Sequence, residues 1–233
     1  MQLPRMSTLV ATYQQVQSRI HRACEQTGRP RSEVKLLAVS KTKPATMVKE
    51  VYDQGQRSFG ENYLQDALDK IEALTELTDI EWHFIGPIQS NKTRPIAENF
   101  QWVETLEREK IAQRLNEQRP AELPPLNVLI QVNISGEAQK SGLKSEEVAD
   151  FADLIATLPN LTLRGLMCIP EATEDEQKLA QQFDNMHKLL QSLQNKHPQC
   201  DTLSMGMSAD LELAVKHHTT QVRIGTDIFG ARA

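Results

Sequence analysis

The sequence predicts an α/β fold in which eight parallel strands alternate with helices and close into a barrel. Apolar runs of strand length alternate with amphipathic helical patterns along the whole chain. Parallel neighbours need crossover connections, and the helices between successive runs supply them. Eight strands are also the number that closes a barrel. An open, doubly wound sheet is the competing fold, but no G-x-G-x-x-G motif follows the first strand to support it.

The strands are predicted where short apolar runs are bounded by turn residues. In chain order they cover residues 36–40, 57–60, 81–85, 101–104, 127–134, 162–167, 202–205 and 221–224. A helix over about residues 8–24 precedes the first strand. No internal repeat, low-complexity tract or linker interrupts the alternation, so we predict a single domain over residues 1–233.

Apolar residues at helical spacing predict helices that bury one face. In the helix between the second and third strands that face carries Leu64, Ala67, Leu68, Ile71 and Leu74. In the helix between the sixth and seventh strands it carries Leu179, Phe183, Met186, Leu190 and Leu193. Thr173 and Glu176 have the spacing of a capping box at the start of this second helix.

Composition excludes several classes of protein. A hydrophobic content of 39%, 24% charged residues and a formal net charge of -5 describe a globular protein with no electrostatic footprint for nucleic acid. No segment approaches the roughly 20 apolar residues of a membrane span, and the N-terminus lacks the apolar core of a secretion signal. Cys24, Cys168 and Cys200 have neither paired nor metal-ligand spacing. We therefore expect a cytoplasmic protein.

Lys41 stands at the end of the first predicted strand. Pro44 cannot donate to a strand ladder, so the strand should end near Lys41. The carboxyl ends of barrel strands are where such folds build their active sites. Lys41 could therefore hold a carbonyl cofactor as a Schiff base, although for this residue taken alone a charge leaving the core for solvent is the favoured explanation.

The ends of the seventh and eighth strands carry the features of a phosphate site. Barrels frequently bind phosphate at these two loops. Ser208 has the position of an N-cap for a helix running to about His217, and Gly225 and Thr226 offer a close backbone approach and a second hydroxyl. Helix capping alone would explain Ser208, and a tight turn alone would explain Gly225. The presence of both features at the two loops where barrels bind phosphate favours a phosphate site.

Arg223 lies between the phosphate loops and Lys41, because the eighth strand neighbours the first when a barrel closes. A lysine, a phosphate site and an arginine fit a phosphorylated aldehyde such as pyridoxal 5'-phosphate. Arg223 would face the pyridine nitrogen and, since a guanidinium only donates, would leave that nitrogen unprotonated. A surface ion pair is the alternative role of Arg223.

Seven motifs resemble the YggS/PROSC family of pyridoxal-phosphate homeostasis proteins. They cover nearly the whole chain in order, beginning after about residue 7. They are Leu-Ala-Val-Ser-Lys41-Thr-Lys-Pro, Phe-Gly-Glu-Asn62-Tyr, Trp-His83-Phe-Ile-Gly-Pro-Ile-Gln-Ser-Asn-Lys, Lys140-Ser-Gly, Arg164-Gly-Leu-Met, Leu-Ser-Met-Gly-Met207-Ser208-Ala-Asp and Val-Arg223-Ile-Gly225-Thr226-x-Ile-Phe-Gly.

The resemblance implies a TIM (β/α)8 barrel of the alanine racemase N-terminal type, normally a monomer, that binds pyridoxal 5'-phosphate. It implies that Lys41 forms the aldimine, that Arg223 faces the pyridine nitrogen, and that Ser208, Gly225 and Thr226 contact the phosphate. By their motif positions Asn62 and His83 are expected to line the site, and Met207 to pack against the cofactor or to fill the core.

Two further features have a chemical and a structural explanation. Lys140 is similar to a family lysine that takes up cofactor secondarily, and an ordinary loop charge is an equal alternative. His217 and His218 are adjacent in a predicted helix and so do not share a face. No carboxylate-rich motif accompanies them. We therefore expect no metal site there.

Three classes of function are open at this stage. The resemblance implies a non-catalytic carrier of pyridoxal 5'-phosphate, with apo-enzymes that need the cofactor as partners. An amino-acid racemase or related enzyme of the same barrel is the alternative. The sequence ends at Ala233, where racemases of this type continue into a β-rich domain that supplies a second base, so we expect the carrier. A barrel enzyme acting on an unrelated phosphorylated substrate is the third class.

Overall fold

A closed barrel of parallel strands forms the centre of the molecule. The computed structural model describes residues 7–231, and within that range each strand pairs with its neighbours in chain order while the first pairs with the last. The strands are β1 (Lys35–Val39), β2 (Ser58–Glu61), β3 (Glu81–Phe84), β4 (Trp102–Leu106), β5 (Leu126–Val132), β6 (Leu161–Cys168), β7 (Thr202–Ser204) and β8 (Gln221–Ile224). The predicted α/β barrel and its eight strands are confirmed.

Helices connect the strands on the outside of the barrel. They are α1 (Thr8–Gln26), α2 (Ala45–Asp53), α3 (Leu64–Ala73), α4 (Thr93–Asn99), α5 (Glu109–Gln118), α6 (Val148–Ala156), α7 (Glu176–Gln194), α8 (Leu211–Lys216) and α9 (Thr226–Phe229). The predicted opening helix is α1, which precedes the first strand and packs against α8 and α9.

The main core lies between the strands and the helices. It unites outward-facing strand residues such as Phe59 and Phe84 with helix residues such as Phe183 and Met186. The faces predicted for α3 and α7 are confirmed, since the partly buried Leu64 and Ile71 and the buried Phe183, Met186, Leu190 and Leu193 belong to this core. A separate cluster of Trp102, Leu129 and Met167 is also buried.

Gly165 permits the close approach of β6 and β7. Its φ is +144°, and a Cβ atom there would lie 1.8 Å from the carbonyl oxygen of Thr202 on β7. No side chain can be accommodated at that distance, so only glycine keeps these two strands paired.

Two predicted helix starts are wrong. Asp175, not Thr173, caps α7, because its carboxylate accepts from the amides of Gln177 and Lys178 at 3.0 and 3.1 Å. Ser208 does not cap α8, which begins at Leu211. Both predictions assumed that the first suitable hydroxyl starts the helix. In each case an aspartate nearer to the helix stands at the N-cap position, although the Asp210 carboxylate makes no capping hydrogen bond to α8.

Among residues 7–231, no helix combines the length and the apolar character that crossing a membrane requires.

Candidate functional site

A cavity of about 390 Å³ opens at the carboxyl ends of β1 and β8. It collects seven of the eight residues predicted as a cofactor site, which come from the ends of four strands and the loops that follow them. They are Lys41, Asn62, Met207, Ser208, Arg223, Gly225 and Thr226. Parallel strands direct all of their carboxyl ends to one face of the barrel, which is why residues so far apart in the sequence meet there.

A buried ion cluster holds the turn that carries Lys41. Lys70 on α3 donates from Nζ to the Ser40 carbonyl at 2.7 Å, to Glu61 at 2.7 Å and to Asp66 at 3.0 Å. The Ser40 hydroxyl also donates to Glu61, at 2.6 Å. Burial raises the pKa of the Glu61 carboxyl, and the charge of Lys70 opposes that effect.

The same cluster reaches the residue on the other side of Lys41. Thr42 has a φ of 64°, a left-handed conformation that is costly for a β-branched residue. Its amide donates to Asp66 at 2.9 Å, which stabilises this conformation. The backbone on both sides of Lys41 is thus held by side chains of β2 and α3.

Arg223 projects from β8 and is 5% exposed. Its Nη1 donates to the Ser204 hydroxyl and its Nη2 to the carbonyl of Cys168, each at 2.8 Å. Ser204 in turn donates to Glu104 at 2.7 Å. The guanidinium therefore has a fixed orientation at the floor of the cavity, with a buried carboxylate one hydrogen bond further away.

Glu104 is the centre of a polar network inside the barrel. Gln221 on β8 donates to it across the barrel at 2.6 Å, and Nδ1 of His83 lies 2.7 Å from the same carboxylate oxygen. A hydrogen bond from His83 and the charge of Arg223 hold the pKa of Glu104 below its usual range, although its full burial opposes this shift. This carboxylate compensates the charge of Arg223.

The expectation that His83 lines the cavity is not met. Its ring is fully buried in the barrel interior and stacks on Trp102 with centroids 5.0 Å apart. Burial lowers the pKa of His83, so the ring is neutral and Nδ1–H donates to Glu104. Ile85, two residues further along β3 and its following loop, borders the cavity instead. The motif indicated the correct strand, but the next inward-facing residue along that strand, not His83, borders the cavity.

The loops after β7 and β8 bring Ser208 and Thr226 to the same end of the cavity. Asp210 accepts from the Met207 amide at 2.6 Å and so closes the turn that contains Ser208. A Cβ atom at Gly225 would lie 3.2 Å from the carbonyl oxygen of Val39, so the loop after β8 packs tightly on β1.

Lys140 borders a second cavity, of about 270 Å³. This cavity adjoins the first, since Asn62, Ile85 and Ile169 line both. Lys140 Nζ lies 2.5 Å from Glu137 and donates to the carbonyl of Pro170 at 3.2 Å. The structure thus places Lys140 beside the first cavity, not inside it.

The histidine pair makes contacts of an ordinary structural kind. His217 lies 2.7 Å from Asp184, and His218 stacks on His187 with centroids 4.2 Å apart. Within the part of the chain that the structure describes, no group of three or more His, Cys, Asp or Glu could hold a metal ion.

Sequence reasoning missed the residues that support the site, namely Glu61, Lys70, Glu104 and Ser204. Glu61 stands inside the Phe-Gly-Glu-Asn62 motif, and a charged residue within an apolar strand run was the available signal. Glu104 carries the same signal at the end of the fourth predicted strand. Lys70 carries none, because a lysine on an amphipathic helix normally faces solvent.

This geometry, a lysine and an arginine at one mouth of a parallel barrel, agrees with comparisons to known proteins. A sequence model of the family "Alanine racemase, N-terminal domain" matches residues 12–233. Alanine racemase from Corynebacterium glutamicum has the same fold, with a TM-score of 0.70 at 18% identity over 96% of this chain and 61% of that chain. The barrel is thus of the alanine racemase N-terminal type.

Closer relatives define the family. The chain is 56% identical to the pyridoxal phosphate homeostasis protein of Pseudomonas aeruginosa, over 97% of each chain. It is 53% identical to the protein of that name from Vibrio cholerae, over 97% of this chain and 98% of that one. The structure of PipY from Synechococcus elongatus, with PLP bound, has a TM-score of 0.79 at 32% identity over 91% of this chain and 99% of that one. The chain belongs to the pyridoxal phosphate homeostasis protein family.

Proposed function

We propose that this protein binds pyridoxal 5'-phosphate in the first cavity and acts in homeostasis of that cofactor. The observation that carries the proposal is the set of groups lining one cavity: the amine of Lys41, the guanidinium of Arg223 and the hydroxyls of Ser208 and Thr226. The names of the relatives and the PLP bound to PipY support it. Apo-enzymes that need the cofactor are the proposed partners.

The chemistry of these groups fits the cofactor part by part. Pyridoxal 5'-phosphate supplies an aldehyde that reacts reversibly with a primary amine, which Lys41 provides. The hydroxyls of Ser208 and Thr226, with the backbone at Gly225, suit a phosphate. Arg223 suits the pyridine nitrogen as a donor. A cavity of about 390 Å³ lies within the usual range for small-molecule sites.

Asn62 and Met207 complete the proposed site. The Asn62 Oδ1 atom is buried and has no hydrogen-bond partner among residues 7–231, which supports contact with a ligand. Met207 is 40% exposed and borders the cavity, so it can pack against a ring that occupies the site. For Lys140, we propose secondary uptake of the cofactor, since its cavity adjoins the first.

Arg223 favours a carrier over an enzyme. A guanidinium keeps its protons and only donates, so it supplies no acid to the pyridine nitrogen. Without such an acid the pyridine nitrogen stays unprotonated, and the ring withdraws electrons only weakly from a bound amino acid. That withdrawal is what promotes reactions of amino acids on this cofactor. Glu104 cannot take that role, because Ser204 separates its carboxylate from the guanidinium. We therefore propose that the protein does not turn over amino acids at a physiological rate.

The experiment that tests binding is borohydride reduction of the protein after incubation with pyridoxal 5'-phosphate, followed by peptide mass mapping. We expect a visible absorption band before reduction and a pyridoxyl group on the peptide that contains Lys41 after it. Lys41→Ala should lose both. Lys49→Ala removes an exposed lysine of α2 that pairs with Asp53, and serves as the matched control. A full band in Lys41→Ala would contradict the assignment, whereas a partial band would direct attention to Lys140.

A second measurement tests the carrier against the racemase alternative. The loaded protein should not racemise alanine or other common amino acids above background. Sustained turnover at about 1 per second or faster, lost in Lys41→Ala, would favour the enzyme. Gene deletion should disturb vitamin B6 and amino-acid pools without abolishing one specific reaction.

We further propose that the protein works in the cytoplasm as a single-domain monomer. The three cysteines are unpaired and buried in the described part of the chain, which suits a reducing compartment. Sedimentation of the loaded protein at several concentrations tests the monomer, and a mass that increases with concentration would contradict it.

A further inference from the structure

Arg19, on the opening helix α1, contacts both loops that form the phosphate end of the cavity. Its Nε and Nη2 donate to Glu212 of α8 at 2.8 and 2.9 Å. Its Nη1 donates to Asp227 of α9 at 2.6 Å. Nη2 also donates to the carbonyl of Ser208 at 2.9 Å. A single guanidinium thereby uses four hydrogen bonds to join three separate segments.

The contacts of Arg19 lie at or next to the residues that are proposed to bind the phosphate. Ser208 itself lines the cavity, and Asp227 directly follows Thr226, which also lines it. Thr12, two helical turns before Arg19 on α1, donates to the carbonyl of Ile228 at 2.7 Å and holds α9 from the same side. The relative position of the two hydroxyls therefore depends on a helix that does not itself line the cavity.

The negative charges beside the proposed phosphate site need a positive charge to compensate them. Glu212 and Asp227 are two carboxylates next to a site proposed for a phosphate, and like charges repel. Arg19 binds both of them, and its side chain is 26% exposed, so its charge is only partly screened by water. The hydrogen bond from Arg19 also holds the pKa of Glu212 below its usual range, so this carboxylate stays ionised.

We propose that Arg19 is a positioning residue for the phosphate end of the site, which holds the loops of Ser208 and Thr226 together and neutralises Glu212 and Asp227. The protein thereby distinguishes phosphorylated from unphosphorylated B6 vitamers through a residue outside the cavity. This inference rests on the proposed function. It predicts that removal of Arg19 weakens binding of the phosphorylated ligand selectively, which a general structural role would not do.

The test is calorimetric titration of Arg19→Gln with pyridoxal 5'-phosphate and with pyridoxal, each compared with wild type. We expect the dissociation constant for pyridoxal 5'-phosphate to rise about tenfold or more, and that for pyridoxal to change by less than about twofold. Equal weakening of both ligands, or no change in either, would overturn the proposal. Arg19→Lys, which keeps the charge, should recover part of the loss.

Arg22→Gln is the matched control, because Arg22 is exposed on the same helix and loses the same charge. It should leave both dissociation constants unchanged. A loss equal to that of Arg19→Gln would assign the effect to net charge and overturn the positioning role. Adding Asp227→Asn and Glu212→Gln to Arg19→Gln removes the repulsion, and should recover phosphate affinity. No recovery would overturn the electrostatic part of the proposal.

The outcomes separate this inference from the proposed function. If wild type binds no pyridoxal 5'-phosphate, the proposed function fails. If wild type binds it and Arg19→Gln binds it equally well, only the role of Arg19 fails.

Discussion

Arg223 and Ser204 form a buried pair, in which Nη1 of the arginine donates to the serine hydroxyl across 2.8 Å. The Ser204 hydroxyl in turn donates a hydrogen bond to Glu104 at 2.7 Å, so one small side chain links a buried cation to a buried anion. Burying charged groups is costly unless they are paired and hydrogen-bonded, as these two are. The relationship explains how an arginine can stay at the floor of a cavity with a defined orientation.

Ser204→Ala should destabilise the protein measurably. The substitution deprives Glu104 and Arg223 of one hydrogen bond each inside the barrel, at a cost of about 1–3 kcal/mol. Denaturation with urea gives the free energy of unfolding. The control is Ser192→Ala, at an exposed position of α7, which should stay within about 0.5 kcal/mol of wild type. An equal effect of both substitutions would show that the hydroxyl of Ser204 is dispensable.

Lys70→Met should lower the free energy of unfolding by about 3–5 kcal/mol at neutral pH, because it leaves the carboxylate of Glu61 buried without a cation. Lys70 is 3% exposed, so solvent cannot replace it. Asp69→Ala on the exposed face of the same helix is the control and should be nearly neutral. Adding Glu61→Gln to Lys70→Met should recover part of the loss.

The loss in Lys70→Met should also depend on pH, in a direction set by Glu61. Burial raises the pKa of Glu61 in the folded state above its value in the unfolded chain. The folded state therefore takes up a proton more readily, and this favours folding at low pH and is lost as the pH rises through the folded pKa. Lys70→Met should lose less stability near pH 5 than near pH 8. A loss that is larger at the lower pH would contradict this account.

His83 should make the protein less stable in mild acid. Burial lowers its pKa in the folded state, while the unfolded chain takes up a proton near pH 6.5. Stability is therefore fully present above that pH and falls below it, by at most about 1.4 kcal/mol per pH unit. Unfolding free energies measured between pH 7 and 5.5 test this. The slope should flatten in His83→Gln and persist in His21→Gln, an exposed control on α1. An unchanged slope in His83→Gln would refute the role of His83.

The strands and most of the residues around the cavity could be predicted because both depend on local sequence. Each apolar run ends at a polar residue or a turn, and parallel strands bring all such ends to one face of the barrel. Lys41, Arg223 and Thr226 could therefore be placed together without knowledge of any distance. The helix starts at Thr173 and Ser208 could not, because several nearby polar side chains compete to cap a helix and only the local backbone decides between them.

The sequence by itself thus determined the barrel, the family and the ring of side chains at its mouth. Only the tertiary structure decided which charged residues lie inside. Glu104 and Gln221 are 117 residues apart in the sequence and meet across the barrel. Lys70 is buried only because Glu61 of β2 lies beside it and pairs with its charge. Burial and ion pairing of this kind arise when distant elements pack together, so periodicity along the chain cannot reveal them. The contacts of Arg19 with two loops some 190 to 210 residues away have the same origin.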